Sequence, residues 1–133
     1  HCEGSDIVLV TTGTVTSTCR QVIEELRGKG EKAGLLKLRM FRPFPTDEIR
    51  RHLRGMKKVA VIDRNFSFGA SGIFAQEIRA ALCNEPGHPP VFGFVAGIGG
   101  RDVTADTLRD IYAQVKAKES PDRESVWIGL QEV

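Results

Sequence analysis

Hydrophobic positions along the chain switch between continuous apolar runs and a repeat of three and four. The first run, Ile7-Val8-Leu9-Val10 between Asp6 and Thr11, is apolar throughout, as in a strand buried on both faces. Gly13 ends it. Val15, Cys19, Val22, Ile23 and Leu26 then recur at helical spacing until Gly28 and Gly30 stop the helix. Residues 33–41, AGLLKLRMF, predict a second strand of different character. Leu36, Leu38 and Met40 alternate with Lys37 and Arg39, which places this strand near a sheet edge with one covered face.

Two prolines in FRPFPTDEIRRHL stop that strand. Thr46 is expected to cap the next helix, Asp47 and Glu48 to complement its dipole, and Ile49, Leu53 and Met56 to form its buried stripe. VAVI (59–62) reads as a third, central strand. A loop containing Gly69 and Gly72 leads to a helix with Phe74, Ile78, Ala81 and Leu82 inward. Pro86-Gly87 and Pro89-Pro90 break the chain before a fourth strand, VFGFV (91–95). AGIGGRD then runs to Thr104, the expected N-cap of a helix carrying Leu108, Ile111, Tyr112 and Val115, and VWIGL (126–130) offers a short fifth strand.

Strand and helix alternate four times, which predicts an α/β domain of three layers, α/β/α, around a mainly parallel sheet ordered second, first, third, fourth. The loops at Gly13-Thr14, Arg42-Pro43, Asp63–Gly72 and Gly97–Asp102 must then share the rim at the C-terminal ends of the strands. Ligands of such folds sit on that rim.

The 133 residues suit a single domain with its own core. Apolar (41%) and charged (27%) fractions are those of a folded chain, and a net charge of +2 argues for neither nucleic acid nor membrane. The densest basic run, Arg50-Arg51-His52-Leu53-Arg54 with Lys57-Lys58, reads as the solvated face of a helix; steering of an acidic electron carrier is its other reading. Cys2, Cys19 and Cys83 form no Cys-x-x-Cys pair, so neither a zinc site nor an iron–sulfur site is expected from them. Cys19 and Cys83 fall on or near inward helical positions, as buried inert thiols do. Unpaired thiols and the lack of a signal peptide or long apolar span imply a cytoplasmic location. The chain starts at His1 without methionine, as an excised piece of a longer protein would.

The loop in VIDRNFSFGASGIFAQEI (61–78) has the outline of a phosphate-cradling turn. A dinucleotide fingerprint needs G-x-G-x-x-G after the first strand, whereas Gly69-Ala70-Ser71-Gly72 lacks one glycine and follows the third. Its other reading is a turn in which the glycines supply positive φ and close helix–strand contact. In AGIGGRD, the N–H groups of Gly97, Gly99 and Gly100 beside Arg101 offer a nest for an anion or a coenzyme A-like nucleotide; a tight turn with a surface ion pair to Asp102 is the alternative. Arg42, Asp63, Arg64, Arg101 and Asp102 would give the rim mixed charge, which suits an interface better than a reaction centre. His1, His52 and His88 are scattered, and no catalytic, cofactor-binding or metal-ligating residue is assigned.

IVLVTTGTVTSTCRQVIEELR, GLLKLRMFRPFPTDEIR, VAVIDRNFSFGASG and VFGFVAGIGGRDVT, together running from Asp6 to about Thr104, resemble the second domain of the α chain of 2-oxoacid:ferredoxin oxidoreductases, most closely the pyruvate enzymes. The resemblance implies a fold like the C-terminal domain of transketolase, preceded by an antiparallel edge strand that is here missing or reduced to His1–Gly4. It further implies a parent enzyme that decarboxylates a 2-oxoacid on thiamine diphosphate and magnesium. Electrons would pass through iron–sulfur clusters to ferredoxin, and the acyl group to coenzyme A. That family holds its diphosphate through a Gly-Asp-Gly motif in other domains. The motif is absent here, so the resemblance implies a domain that packs against its neighbours and a partner subunit.

Overall fold

The computed structural model describes residues 1–130. Strands β1 (Ile7–Thr12), β2 (Ala33–Leu38), β3 (Lys58–Asp63), β4 (Val91–Val95) and β5 (Val126–Trp127) form one sheet in the order β2-β1-β3-β4-β5. Every pairing is parallel, with Val8 opposite Gly34 and Val59, and Phe94 opposite Val126. Helices α1 (Val15–Gly28), α2 (Thr46–Leu53), α3 (Ile73–Leu82) and α4 (Ala105–Ala117) supply the outer layers. VWIGL thus takes the edge beside β4, opposite the β2 edge.

Alternation along the central strands builds two cores. Ile7 and Leu9 of β1, Ala60 and Ile62 of β3, and Phe92 and Phe94 of β4 pack with Val22 and Ile23 of α1 and Leu108 and Ile111 of α4. On the other face Val8, Val10, Val59 and Val61 meet Ile49 and Leu53 of α2 and Ala75, Ile78 and Leu82 of α3. Each fully buried Leu or Ile contributes about 1.5–3 kcal/mol. Tight register follows, because a one-residue slip would send each strand's side chains to the wrong layer.

Four expectations need correction. β2 stops at Leu38, leaving Met40 and Phe41 52% and 39% exposed. Its strand neighbour among the described residues, β1, ends at Thr12 opposite Leu38, so the pairing stops there. β2 is also covered on both faces, with Ala33 and Leu35 in the α1/α4 core and Leu38 in the other. Thr46 is the first helical residue and does not cap α2. Pro45 holds the cap position, and the Thr46 N–H donates to the Phe44 carbonyl at 2.9 Å. Cys83 is exposed at the end of α3, where the helix stops before bringing it inward. Cys19 is fully buried, and desolvation pushes its thiol up to about 12, which removes its reactivity. Thr104 caps α4 as expected, its Oγ1 accepting from the Thr107 N–H at 3.2 Å.

The amino-terminal segment lies along the β2 edge and pairs with it at Leu35. His1 and Leu35 exchange backbone hydrogen bonds (3.3 and 3.2 Å) as an antiparallel pair does. Arg27 fastens the segment from α1, donating to the carbonyls of Ala33 (2.6 Å) and His1 (2.9 Å) and to Ser5 Oγ (3.0 Å). The basic run is also engaged within the fold: Arg50 Nε donates to the Ala81 carbonyl at 2.7 Å, at the end of α3.

At the other edge the segment before β5 crosses Gly93, where a Cβ would lie 2.6 Å from the Glu124 carbonyl oxygen and 3.1 Å from Arg79 Nη2. Arg79 holds that segment through the carbonyls of Val91 (3.1 Å) and Glu124 (2.7 Å). Gly93→Ala is therefore expected to cost about 1–3 kcal/mol by overpacking, read as a lower urea midpoint, with loss of Trp127 fluorescence polarity change at β5 as the local marker.

Helices α1 and α4 are joined by Glu25, which accepts from Arg109 Nη2 at 2.7 Å and from Lys29 Nζ at 2.8 Å. The Arg109 bonds first, and then Lys29, pull the Glu25 carboxyl from its ordinary 4.5 down to about 2. A depressed carboxyl contributes stability above its unfolded value and loses it as pH falls through the folded one. Urea midpoints should drop as pH falls from about 4.5 toward 2, and Glu25→Gln should flatten that slope. An unchanged slope would remove Glu25 as its source.

Candidate functional site

The strand order reverses between β1 and β3, since β1 leads through α1 to β2 and β3 leads through α3 to β4. Ligands of open α/β sheets bind above such a reversal, at the C-terminal rim. Here the reversal lies between the β1–α1 turn at Gly13 and the loop from Arg64 to Gly72.

Asp63, the last residue of β3, has no exposure to water. Its Oδ1 accepts from the Phe74 N–H at 2.9 Å and its Oδ2 from the Ala75 N–H at 3.0 Å. Asn65 Oδ1 takes the Ile73 N–H (3.1 Å), and Ser125 Oγ takes the Gly72 N–H (3.3 Å). The N–H groups at the start of α3, which a phosphate would need, are thus held by this chain's own side chains. Burial pushes the Asp63 carboxyl up, against the opposing pull of the two N–H groups and of Arg79.

The two glycines of this loop serve different ends. Gly69 has φ +72°, a left-handed conformation that closes the turn. Gly72 has ordinary dihedrals, but a Cβ there would lie 2.2 Å from Asp63 Oδ2. Its missing side chain makes room for the carboxylate. A diphosphate does not fit this helix start, since the position for its charge is filled.

The other rim residues fall into two groups. Arg42 donates to Glu77 Oε1 at 2.7 Å on the flank of α3, and its guanidinium carbon stands 4.0 Å from the Phe41 ring centroid. Arg64 reaches over the β4 loop and donates to the Gly97 carbonyl at 3.3 Å. Gly97, Gly99 and Gly100 all have positive φ around a short 3₁₀ turn, Ile98–Gly100. Arg101 and Asp102 follow, both exposed, with Arg101 Nη1 3.7 Å from where a Cβ on Gly129 would stand. Arg64, Gly97 and Arg101 therefore gather above β4 and β5, Arg42 stands apart, and Asp63 lies beneath the rim.

Sequence reasoning missed Asn65 and Ser125 as partners of α3. Asn65 carried a signal, since an Asn two residues after a buried Asp in a loop entering a helix is a capping type. Ser125 is 53 residues from Gly72 and carried none. The aromatic props were also missed: Phe66 packs on Trp127 with centroids 4.6 Å apart, and Phe41 meets Phe74 edge-on at 5.4 Å. Open concavities lie elsewhere; one of about 350 Å³ at the opposite end of the sheet is lined by Asp6, Glu31, Lys57, Tyr112 and Lys116.

Five parallel strands in this order, with paired helices on each face, make an open, doubly wound α/β fold. A solved split-gene transketolase (inactive β4 tetramer) matches 88% of this chain and 39% of its own with TM-score 0.65 at 19% identity. A 2-oxoglutarate:ferredoxin oxidoreductase from Magnetococcus marinus, solved with 2-oxoglutarate, coenzyme A and succinyl-CoA bound, matches 84% of this chain and 18% of its own (TM-score 0.59, 17% identity). Those likenesses concern the fold. Residues 5–108 match the family described as pyruvate:ferredoxin oxidoreductase core domain II, and the chain belongs to that family. It is 46% identical over 132 residues to the pyruvate synthase subunit PorA of Methanothermobacter thermautotrophicus, covering 99% of this chain and 33% of that protein. It is 37% identical to the ketoisovalerate oxidoreductase subunit VorA of Pyrococcus furiosus, covering 98% of this chain and 34% of that one. The chain thus spans about a third of the length of the curated relatives it matches.

Asp63→Ala should leave two α3 N–H groups without a partner and cost about 2 kcal/mol or more. Gly72→Ala should destabilise as well, by expelling the carboxylate, and should add little to Asp63→Ala. Urea unfolding of the two single variants and the double variant measures this coupling, and simple additivity would contradict the geometry.

Proposed function

We propose that this chain acts as a packing and interface domain of a 2-oxoacid:ferredoxin oxidoreductase, with no reaction centre of its own. The observation that carries this reading is the α3 start, where Asp63, Asn65 and Ser125 take the groups that would bind a cofactor phosphate. Pyruvate is the proposed 2-oxoacid, on the strength of the pyruvate synthase relatives. Thiamine diphosphate, magnesium, iron–sulfur clusters and coenzyme A would be held by the domains and subunits around it, and ferredoxin would be reached through them. We place this work in the cytoplasm, where the free thiols Cys2, Cys19 and Cys83 stay reduced. No helix among the described residues is long and apolar enough to cross a membrane.

The other reading, an anion or coenzyme A-like nucleotide at Gly97–Arg101, has less support. Its arginines are exposed, and Thr104 already takes the N–H of Thr107 at the start of α4.

Titration calorimetry of the chain with thiamine diphosphate and Mg²⁺ should give no binding heat at micromolar concentrations. With coenzyme A it should give none that Arg101→Ala abolishes. Micromolar affinity for either would overturn this reading.

A further inference from the structure

The large apolar side chains exposed among the described residues are not scattered. Met40 and Phe41 follow β2, Phe68 follows β3, Ile98 follows β4, and Trp127 and Leu130 lie at and after β5. All stand at the C-terminal rim, and none on the helix faces or the opposite end. Isolated exposed apolar residues need no explanation, whereas a set gathered on one face marks a contact surface.

These side chains are held ready for contact. Phe68 is 99% exposed, yet it stands on a closed turn in which the Ser67 N–H donates to the Ser71 carbonyl and the Ala70 N–H to the Ser67 carbonyl, both at 3.0 Å. Trp127 is backed by Phe66, and Phe41 by Phe74. Rigid aromatic anchors lose little entropy on binding, which makes them effective at the centre of an interface.

Charge points to the chemistry of the partner. Among the described residues, the loops crossing the rim carry Arg39, Arg42, Arg64 and Arg101 against Asp102 alone as an exposed acid. Only Arg42 of these has a carboxylate partner among the described residues. The acids in the first turns of α2 and α4 are answered within their own helices, Glu48 by Arg51 and Asp106 by Arg109. Every lysine except Lys37 lies toward the other end of the strands, where Lys57 pairs with Asp6 and Lys116 with Glu31. Arginine and aromatics mark interface cores, and lysine is depleted from them. The rim therefore has the composition of a covered surface and the lysine end that of a solvated one.

We propose that this rim, centred on Phe68, flanked by Phe41 and Trp127 and edged by Arg39, Arg64 and Arg101, is a permanent docking surface. Its partner is an apolar protein face carrying carboxylates, on a neighbouring unit of the same oxidoreductase. The inference rests on the interface reading above and adds the face used and the charge of what covers it.

The test compares the isolated chain with the assembled oxidoreductase that contains it, using hydroxyl-radical footprinting read by mass spectrometry. Met40, Phe41, Phe68 and Trp127 should be labelled in the isolated chain and about tenfold less in the assembly, as for residues at an interface core. Phe68→Ser and Arg101→Glu should each weaken assembly by about tenfold or more, whereas Lys32→Glu at the opposite end should not. Thermal melts of the isolated variants should match the parent chain, because both altered side chains are exposed. Assembly with protection on the lysine end or the helix faces overturns this inference and leaves the interface reading standing. Failure of the chain to associate with any other polypeptide of the oxidoreductase overturns both. A rim-mediated dimer of the isolated chain, dissolved by Phe68→Ser, would assign the surface to a second copy and overturn the proposed partner.

Discussion

A carboxylate sealed from water, Asp63, ties the end of β3 to the first turn of α3 through the N–H groups of Phe74 and Ala75. Much of the rim follows from this contact. It requires a residue without a side chain at Gly72, because a Cβ would stand within 2.2 Å of Oδ2. It supplies internally the negative charge that a helix start attracts. The Arg64–Gly72 loop is then left to form a tight turn at the strand-order reversal, with Phe68 at its tip, where related topologies place a ligand.

The same contact bears on the proposed role of this chain as a packing unit. Function in α/β folds resides in the loops above the sheet and not in the sheet itself. Here those loops present arginines and aromatic rings in place of backbone N–H groups aimed at a phosphate. At one edge of the sheet beneath, His1 covers part of β2 at Leu35, and at the other the edge strand β5 has two residues. A two-residue edge strand offers other chains little backbone to pair with, in keeping with side-chain contact at the proposed rim surface.

Most of the fold was legible because its signals are local. The apolar runs of β1, β3 and β4 and the helical stripes of α1 and α4 need only their own residues to declare a period, and the parallel order follows from alternation and handedness. The failures occurred where a neighbour decided the outcome. Thr104 caps its helix and Thr46 does not, although both precede acids and an apolar stripe. The difference is the bond from the Thr46 N–H back to Phe44, which draws it into the helix behind Pro45. β2 had the composition to run on to Phe41 but lost its partner at Thr12.

For the rim the division is sharper. Its glycines, arginines and the resemblance to a ferredoxin-dependent oxidoreductase domain could be read along the chain, as could the lack of a complete phosphate-binding motif. Whether Asp63 faced outward as a rim charge or inward as a cap could not be, since the helix N–H groups that hold it lie 11 and 12 residues away. Nor could the seating of Trp127 on Phe66 and of Phe41 on Phe74, which joins segments far apart in the chain. Periodicity and motif are properties of neighbouring residues and so were determined by the sequence alone. Which charge is buried and which rings share a surface are properties of distant segments, and only tertiary packing brought those together.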